Sequence, residues 1–239
     1  MAPMAIGSDS GNQDGITGAV PPVISNVLVD GVASVTVQSG TSVTLTADVD
    51  DSTTGGSNIL GANYTIGAQV WATSVVMAAV DGTFDALTED VTVAVDTTGW
   101  AEATYDLYVY ASDVVPNDND NSPLFGTIII DDTAPTATPT PADAAPAVPT
   151  ATATYSILFD EPMQAVGTLA TDDIPDGTWG WTDSTHYEKT GITALAEQTT
   201  YNVVLNADFV DLAGNAVTGD ITFEFTTADE TNPTVAPTP

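Results

Sequence analysis

The sequence predicts an all-β protein built from two antiparallel β-sandwich domains in tandem. Hydrophobic and polar residues alternate with a period of two, and no stretch longer than about ten residues reads as a helix. A Pro/Thr segment occurs twice, about one domain length apart. The chain of 239 residues, 43% hydrophobic, is long enough for two cores of ordinary size.

In chain order the alternating segments are Ser34–Val37, Ser42–Asp48, Val91–Val95, Thr104–Tyr110 and Gly126–Ile130. Ala151–Phe159, Thr200–Leu205 and Asp220–Thr226 follow. Within Thr104–Tyr110, Tyr105, Leu107 and Val109 fall on one face, with Asp106, Tyr108 and Tyr110 opposite. Ile221, Phe223 and Phe225 alternate in the same way with Thr222 and Glu224. Threonine on the solvated faces keeps β propensity without adding charge. Many short strands separated by Gly, Asn and Asp turns favour sandwiches over any helical layer.

The repeat marks the domain limits. Asp131-Asp132-Thr133-Ala134-Pro135-Thr136 recurs as Asp229-Glu230-Thr231-Asn232-Pro233-Thr234, and both run on to Pro-Thr-Pro. Prolines there predict an extended spacer and exclude helix. The expected organisation is a flexible or strand-donating segment at 1–19, a first domain at 20–132 and a Thr/Pro linker at 133–145. A second domain follows at 146–228, then a tail at 229–239 leading toward a further domain or a neighbouring subunit.

Charge excludes several functions. Asp and Glu number 33 against a single Lys or Arg, giving a net charge of −32, and the one basic residue is Lys189. Nucleic acid and anionic lipid surfaces both require cationic side chains, so neither is an expected partner. The same deficit attracts metal cations, and it is also what adaptation to high salt or acid would leave. With no Cys, disulfides and thiol chemistry are excluded. No apolar run reaches the roughly 18 residues of a membrane span, so direct membrane insertion is not expected.

Two ordered sets of motifs carry a resemblance. The first runs through Pro21-Pro22-Val23-Ile24-Ser25-Asn26-Val27, Thr53–Ala62, Met77–Asp85 and Thr104–Val109. It resembles the immunoglobulin-like repeats of prokaryotic surface and secreted proteins. The second comprises Phe159-Asp160-Glu161-Pro162-Met163, Thr199–Val203, Asp211-Leu212-Ala213-Gly214-Asn215-Ala216 and Phe223–Thr227. It resembles the immunoglobulin-like repeat of S-layer proteins and bacterial adhesins. The resemblance implies two immunoglobulin-like sandwiches and an extracellular, cell-surface location. It also implies a scaffolding role in an array, sheath, S-layer or filament, with self-association or neighbouring surface proteins as partners. The alternative is an adhesive or carbohydrate-binding accessory module.

Calcium is the expected cofactor, because clustered carboxylate and amide oxygens on turns suit a hard cation of six to eight ligands. Asn117-Asp118-Asn119-Asp120-Asn121-Ser122-Pro123-Leu124-Phe125 resembles the calcium-binding linker of cadherins, with Asn117 in place of the first Asp. Here a strand still follows, so the segment reads as a loop between the last two strands of its domain. Sandwich topology would bring that loop, with Asp113, beside the loop carrying Asp48, Asp50 and Asp51. Three carboxylates ~6 Å apart would repel by about 2 kcal/mol even in water, a strain that a cation relieves. A second candidate joins Asp131 and Asp132 to Asp160, Glu161, Asp208, Asp211 and Asn215; the alternative there is an acidic flexible linker.

No catalytic constellation emerges. His186 is the only His, which makes zinc improbable, and Ser184 beside it would lie on the same strand rather than on a separate element. Trp179 and Trp181, two apart, share a strand face and are candidates for stacking on sugar rings. Asn63-Tyr64-Thr65 is a glycosylation sequon.

Overall fold

A computed structural model of the chain describes residues 20–67, 74–115, 125–151, 154–218 and 221–232. Every regular element among them is a strand, and the chain divides into two compact units between Ile130 and Asp131.

The first unit contains β1 (Val23–Val29), β2 (Ser34–Val37), β3 (Ser42–Asp50) and β4 (Ile59–Ile66), then β5 (Val75–Ala79), β6 (Thr88–Asp96), β7 (Ala103–Asp113) and β8 (Phe125–Ile130). Their hydrogen-bonded order is β1-β3-β6-β5-β4-β7-β8-β2. One ladder becomes two packed layers because β5 changes partner along its length. Val75, Val76 and Met77 pair with β4, whereas Ala78 and Ala79 pair with β6. The alternation read from the sequence is the one that builds the core: Val43, Leu45, Ala47 and Val49 of β3 point inward against Leu107, Val109 and Ala111 of β7 and Ile128 of β8. Between β1 and β2, Asp30 and Gly31 adopt φ of 48° and 81°, the left-handed pair of a tight turn closed by Val29 and Val32.

The second unit contains β9 (Ala137–Thr140), β10 (Ala145–Val148), β11 (Tyr155–Phe159) and β12 (Leu169–Asp172), then β13 (Thr178–Trp181), β14 (His186–Thr190), β15 (Thr200–Leu205) and β16 (Thr222–Thr227). They form two four-stranded sheets, β10-β16-β15-β12 and β13-β14-β11-β9. The first core is almost wholly aliphatic; the second is aromatic, with Tyr155, Phe159, Tyr187, Tyr201, Phe209, Phe223 and Phe225 all buried.

Both units open in the same way. The first strand pairs antiparallel with the third (β1 with β3, β9 with β11), and the second strand pairs parallel with the last (β2 with β8, β10 with β16). This shared topology is that of an immunoglobulin-like sandwich, so the chain is two such domains.

The expected linker is corrected by this arrangement. Residues 133–145 are not a spacer: they supply β9 and the first residue of β10, and Asp131 and Asp132 begin the second unit rather than ending the first. Proline suits these positions because β9 is an edge strand that bonds only to β11, so the missing N–H of Pro139 interrupts little. Asp229 and Glu230 likewise stay with the second unit, where Glu230 accepts the N–H and hydroxyl of Thr150. The segment 1–19 and residues 233–239 lie outside the described residues.

Candidate functional site

The Asp211-Leu212-Ala213-Gly214-Asn215 motif folds into a closed loop after β15. The N–H of Asp211 donates to the carbonyl of Asn215 (3.0 Å), and that of Gly214, at φ 94°, donates to the carbonyl of Asp211 (3.2 Å). Asn215 completes the ring: its backbone N–H donates to Asp211 Oδ1 and its Nδ2 to Asp211 Oδ2, both at 2.8 Å. The same Nδ2 reaches the Asp131 carbonyl at 2.9 Å and so clasps the start of the domain. From the other side, Glu161 follows β11, and a bridge from Met163 to Asp211 holds that turn against the loop.

The result is a carboxylate cluster. One oxygen from each of Asp131, Glu161 and Asp211 lies within 4.8 Å of the others, with Asp211 buried and the other two partly so. Burial raises Glu161 to about 7, helped by repulsion from Asp131, Asp211 and Asp160 and by a hydrogen bond with Asp131. No basic group relieves this crowding, since Lys189 is committed to Asp172 and the Ile174 carbonyl.

Neighbouring acids expected in this group are tied off elsewhere. Asp160 accepts the N–H and hydroxyl of Thr136 at 2.8 and 2.7 Å, and Asp208 those of Thr168 at 3.0 and 2.8 Å. Those hydrogen bonds hold both carboxyls below the ordinary range. Asp132 is not among the converging carboxylates.

The other expected site divides differently. Ile59 on β4 pairs with Asp113 on β7 and the Val114 N–H donates to the Asn58 carbonyl, so the end of β7 lies beside the loop after β3. Yet Asp50 and Asp51 are occupied by donors on their own loop, and Asp48 by one on β1. Asp51 is fully buried and accepts from the Thr54 hydroxyl (2.7 Å), the Gly55 N–H (2.7 Å) and the Ser57 N–H (2.6 Å). A Cβ on Gly55 would stand 2.8 Å from either oxygen of that carboxylate, so only glycine fits. Asp50 accepts from Ser52 N–H and hydroxyl, Asp48 from Asn26 Nδ2, and Asp113 is buried at the end of β7. Among the described residues Asp48, Asp50, Asp51 and Asp113 form no group like that at Asp131. Asn117, Asp118, Asn119, Asp120 and Asn121 lie outside the described residues.

Trp179 and Trp181 do share a face of β13, and that face packs inward. Trp181 stacks on Phe159 (5.5 Å between centroids) and meets Tyr187 (5.2 Å), while Trp179 stacks on Tyr187 at 5.3 Å and donates Nε1 to Asp172. The indoles are half-buried parts of the second core. Asn63 sits within β4 with its Nδ2 3.3 Å from the Ser74 hydroxyl, and Thr65 of the sequon is buried against Tyr110. His186 Nδ1 lies 3.0 Å from Asp183 on an exposed turn, and the Thr185 N–H, with His186 and the Thr185 hydroxyl, draws Asp183 down to about 2.

Comparison with known proteins agrees with the topology of the second unit: residues 131–227 match the model of a bacterial Ig-like domain. No curated protein sequence matches the chain. Among solved structures, the fibronectin(III)-like modules of Clostridium thermocellum CbhA share 13% identity over 86% of this chain and 94% of theirs, with a TM-score of 0.39. Domains 5–6 of the S-layer protein SbsC share 11% identity over 87% of this chain and 100% of theirs, TM-score 0.26. A Bacteroides ovatus glucan-utilisation protein, SGBP-B, solved with a mixed-linkage heptasaccharide, shares 15% over 81% of this chain and 42% of its own, TM-score 0.21.

Proposed function

We propose, on the premise that residues 131–227 are a bacterial Ig-like domain, that the chain is a non-catalytic structural module of an extracellular surface assembly, with a divalent cation, calcium by choice of ligands, holding its second domain closed. The observation that carries this reading is the convergence of Asp131, Glu161 and Asp211 within 4.8 Å in a chain with one basic side chain, already paired elsewhere. Three hard oxygens from one turn, one loop and the domain's first residue would tie three separate segments to one ion, with water completing the shell. Such an ion offsets the mutual repulsion and stabilises the folded state in proportion to its occupancy.

The test is thermal melting of the full chain at moderate salt. Calcium at 100 times its dissociation constant is expected to add about 2.7 kcal/mol, and chelator to remove it; Glu161→Gln is expected to blunt the response. A melting curve indifferent to calcium and chelator sinks the cation reading. Antibody labelling of intact native cells tests the surface placement, and label reaching the chain only after lysis would overturn it.

A further inference from the structure

Lys189 occupies a position that an apolar residue would fill in an ordinary sandwich. It points between the sheets of the second domain, is 2% exposed, and is flanked in its sheet by Tyr155 of β11 and Trp179 of β13. Its Nζ lies 2.5 Å from Asp172 Oδ2 and 2.6 Å from the Ile174 carbonyl. Trp179 Nε1 donates to the same Oδ2 at 3.1 Å, and the indole and the Tyr187 ring stack alongside. Asp172 ends β12 in one sheet and Lys189 lies on β14 in the other, so this contact joins the two sheets. A lysine is almost never buried to this degree unless it is paired, and its partner here, Asp172, keeps a side chain 28% exposed. A chain that has dispensed with every other Lys and Arg nevertheless keeps this one, at a position buried from water.

We infer that Lys189 and Asp172 are the two halves of an intramolecular isopeptide cross-link. The reaction is a condensation in which no electron is gained or lost overall. A proton passes from Nζ to the carboxylate, the freed nitrogen lone pair attacks Cγ, and the C=O electrons move onto Oδ2. The Trp179 N–H is placed to stabilise the charge that develops there. A second proton from nitrogen goes to Oδ1, the Cγ–Oδ1 bond breaks, and Oδ1 leaves as water carrying both transferred protons. The third Nζ proton stays on the new amide. The Ile174 carbonyl holds the amine in position beside the carboxyl, and the packed rings shield the Lys189 stem. In a chain with no cysteine, this amide would be the covalent tie between sheets that a disulfide supplies elsewhere.

The sequence supplies a direct test, because Lys189 is the chain's only site for trypsin. The full chain, denatured, is weighed intact and then digested. The cross-link predicts a mass below the formula by one water and a chain that trypsin does not cut. Formula mass together with cleavage after Lys189 would leave an ion pair only and overturn the inference. Asp172→Ala is expected to restore both formula mass and cleavage; a deficit that persists in it lies elsewhere and also overturns the assignment. Asp172→Asn separates chemistry from folding: it is expected to lose one ammonia in place of one water, and formula mass in that variant counts against the cross-link.

Discussion

Asp51 places a carboxyl group out of water, and three donors from the loop that follows meet it. The same solution recurs across the chain in a simpler form, a Ser or Thr offering both its N–H and its hydroxyl to one carboxylate. It is seen at Asp50 with Ser52, Asp96 with Thr98, Asp183 with Thr185, Asp160 with Thr136, Asp208 with Thr168 and Glu230 with Thr150. Threonine thus does the work that Lys and Arg do in most proteins, and these hydrogen bonds hold the carboxyls low. Asp51→Ala leaves two backbone donors and a hydroxyl without their acceptor at a partly buried turn, and is expected to cost about 3 kcal/mol in chemical denaturation. Glu161 works in the opposite sense. Its folded value of about 7 exceeds the ordinary 4.5, so the folded state binds the extra proton between those values. Stability in chelator should therefore rise as pH falls from 8 toward 5, then decline below about 4 as the lowered carboxyls are protonated. Melting curves across this range check it, and Glu161→Gln should remove the rise while leaving the acid limb.

At the scale of elements, β8 runs close over β1: a Cβ on Gly126 would stand 2.7 Å from Val29 Cγ2, and Val29 is fully buried. Gly126→Ala is expected to destabilise the first domain by about 1–3 kcal/mol through overpacking, read as a lower denaturant midpoint. Strands were legible where an apolar face alternates with a threonine-bearing one, as in β3, β15 and β16, and in β7, where Asp106 and Tyr108 take the place of threonine. Others were not. β4 carries Gly61 and a register shift beside it, which breaks the alternation, and β5 divides its pairing between two layers. β9 hid behind its prolines, since an edge strand and a spacer need the same residues. At the site, the Asp-Leu-Ala-Gly-Asn motif was legible as a turn that gathers acids. Which acids converge was not, because Thr136 and Thr168, which withdraw Asp160 and Asp208, are distant in sequence from the carboxylates they bind.

For the whole molecule, 33 acids against one base mean that repulsion must be met by hydrogen bonds, ions or screening rather than by ion pairing. Added sodium chloride should therefore raise the melting temperature even in chelator, since salt weakens charge repulsion but leaves short hydrogen bonds nearly intact. A melting temperature that falls with salt would contradict this. The shared topology has a further consequence, which concerns force. In each domain the second strand runs parallel to the last, Ser34 to Val37 beside Thr127 to Ile130 and Ala145 to Val148 beside Phe225 to Thr227. Tension applied through the chain pulls the earlier strand toward its N-terminus and the later one toward its C-terminus, in opposite directions along a common axis. The hydrogen bonds between them are then sheared together instead of unzipped one by one, so extension must break the whole short ladder at once. Val35→Pro, which removes the N–H that this register directs at the Thr127 carbonyl, should lower the peak force of the first domain in single-molecule pulling. A domain placed in tension at a cell's surface would meet that tension first at these two pairs of strands.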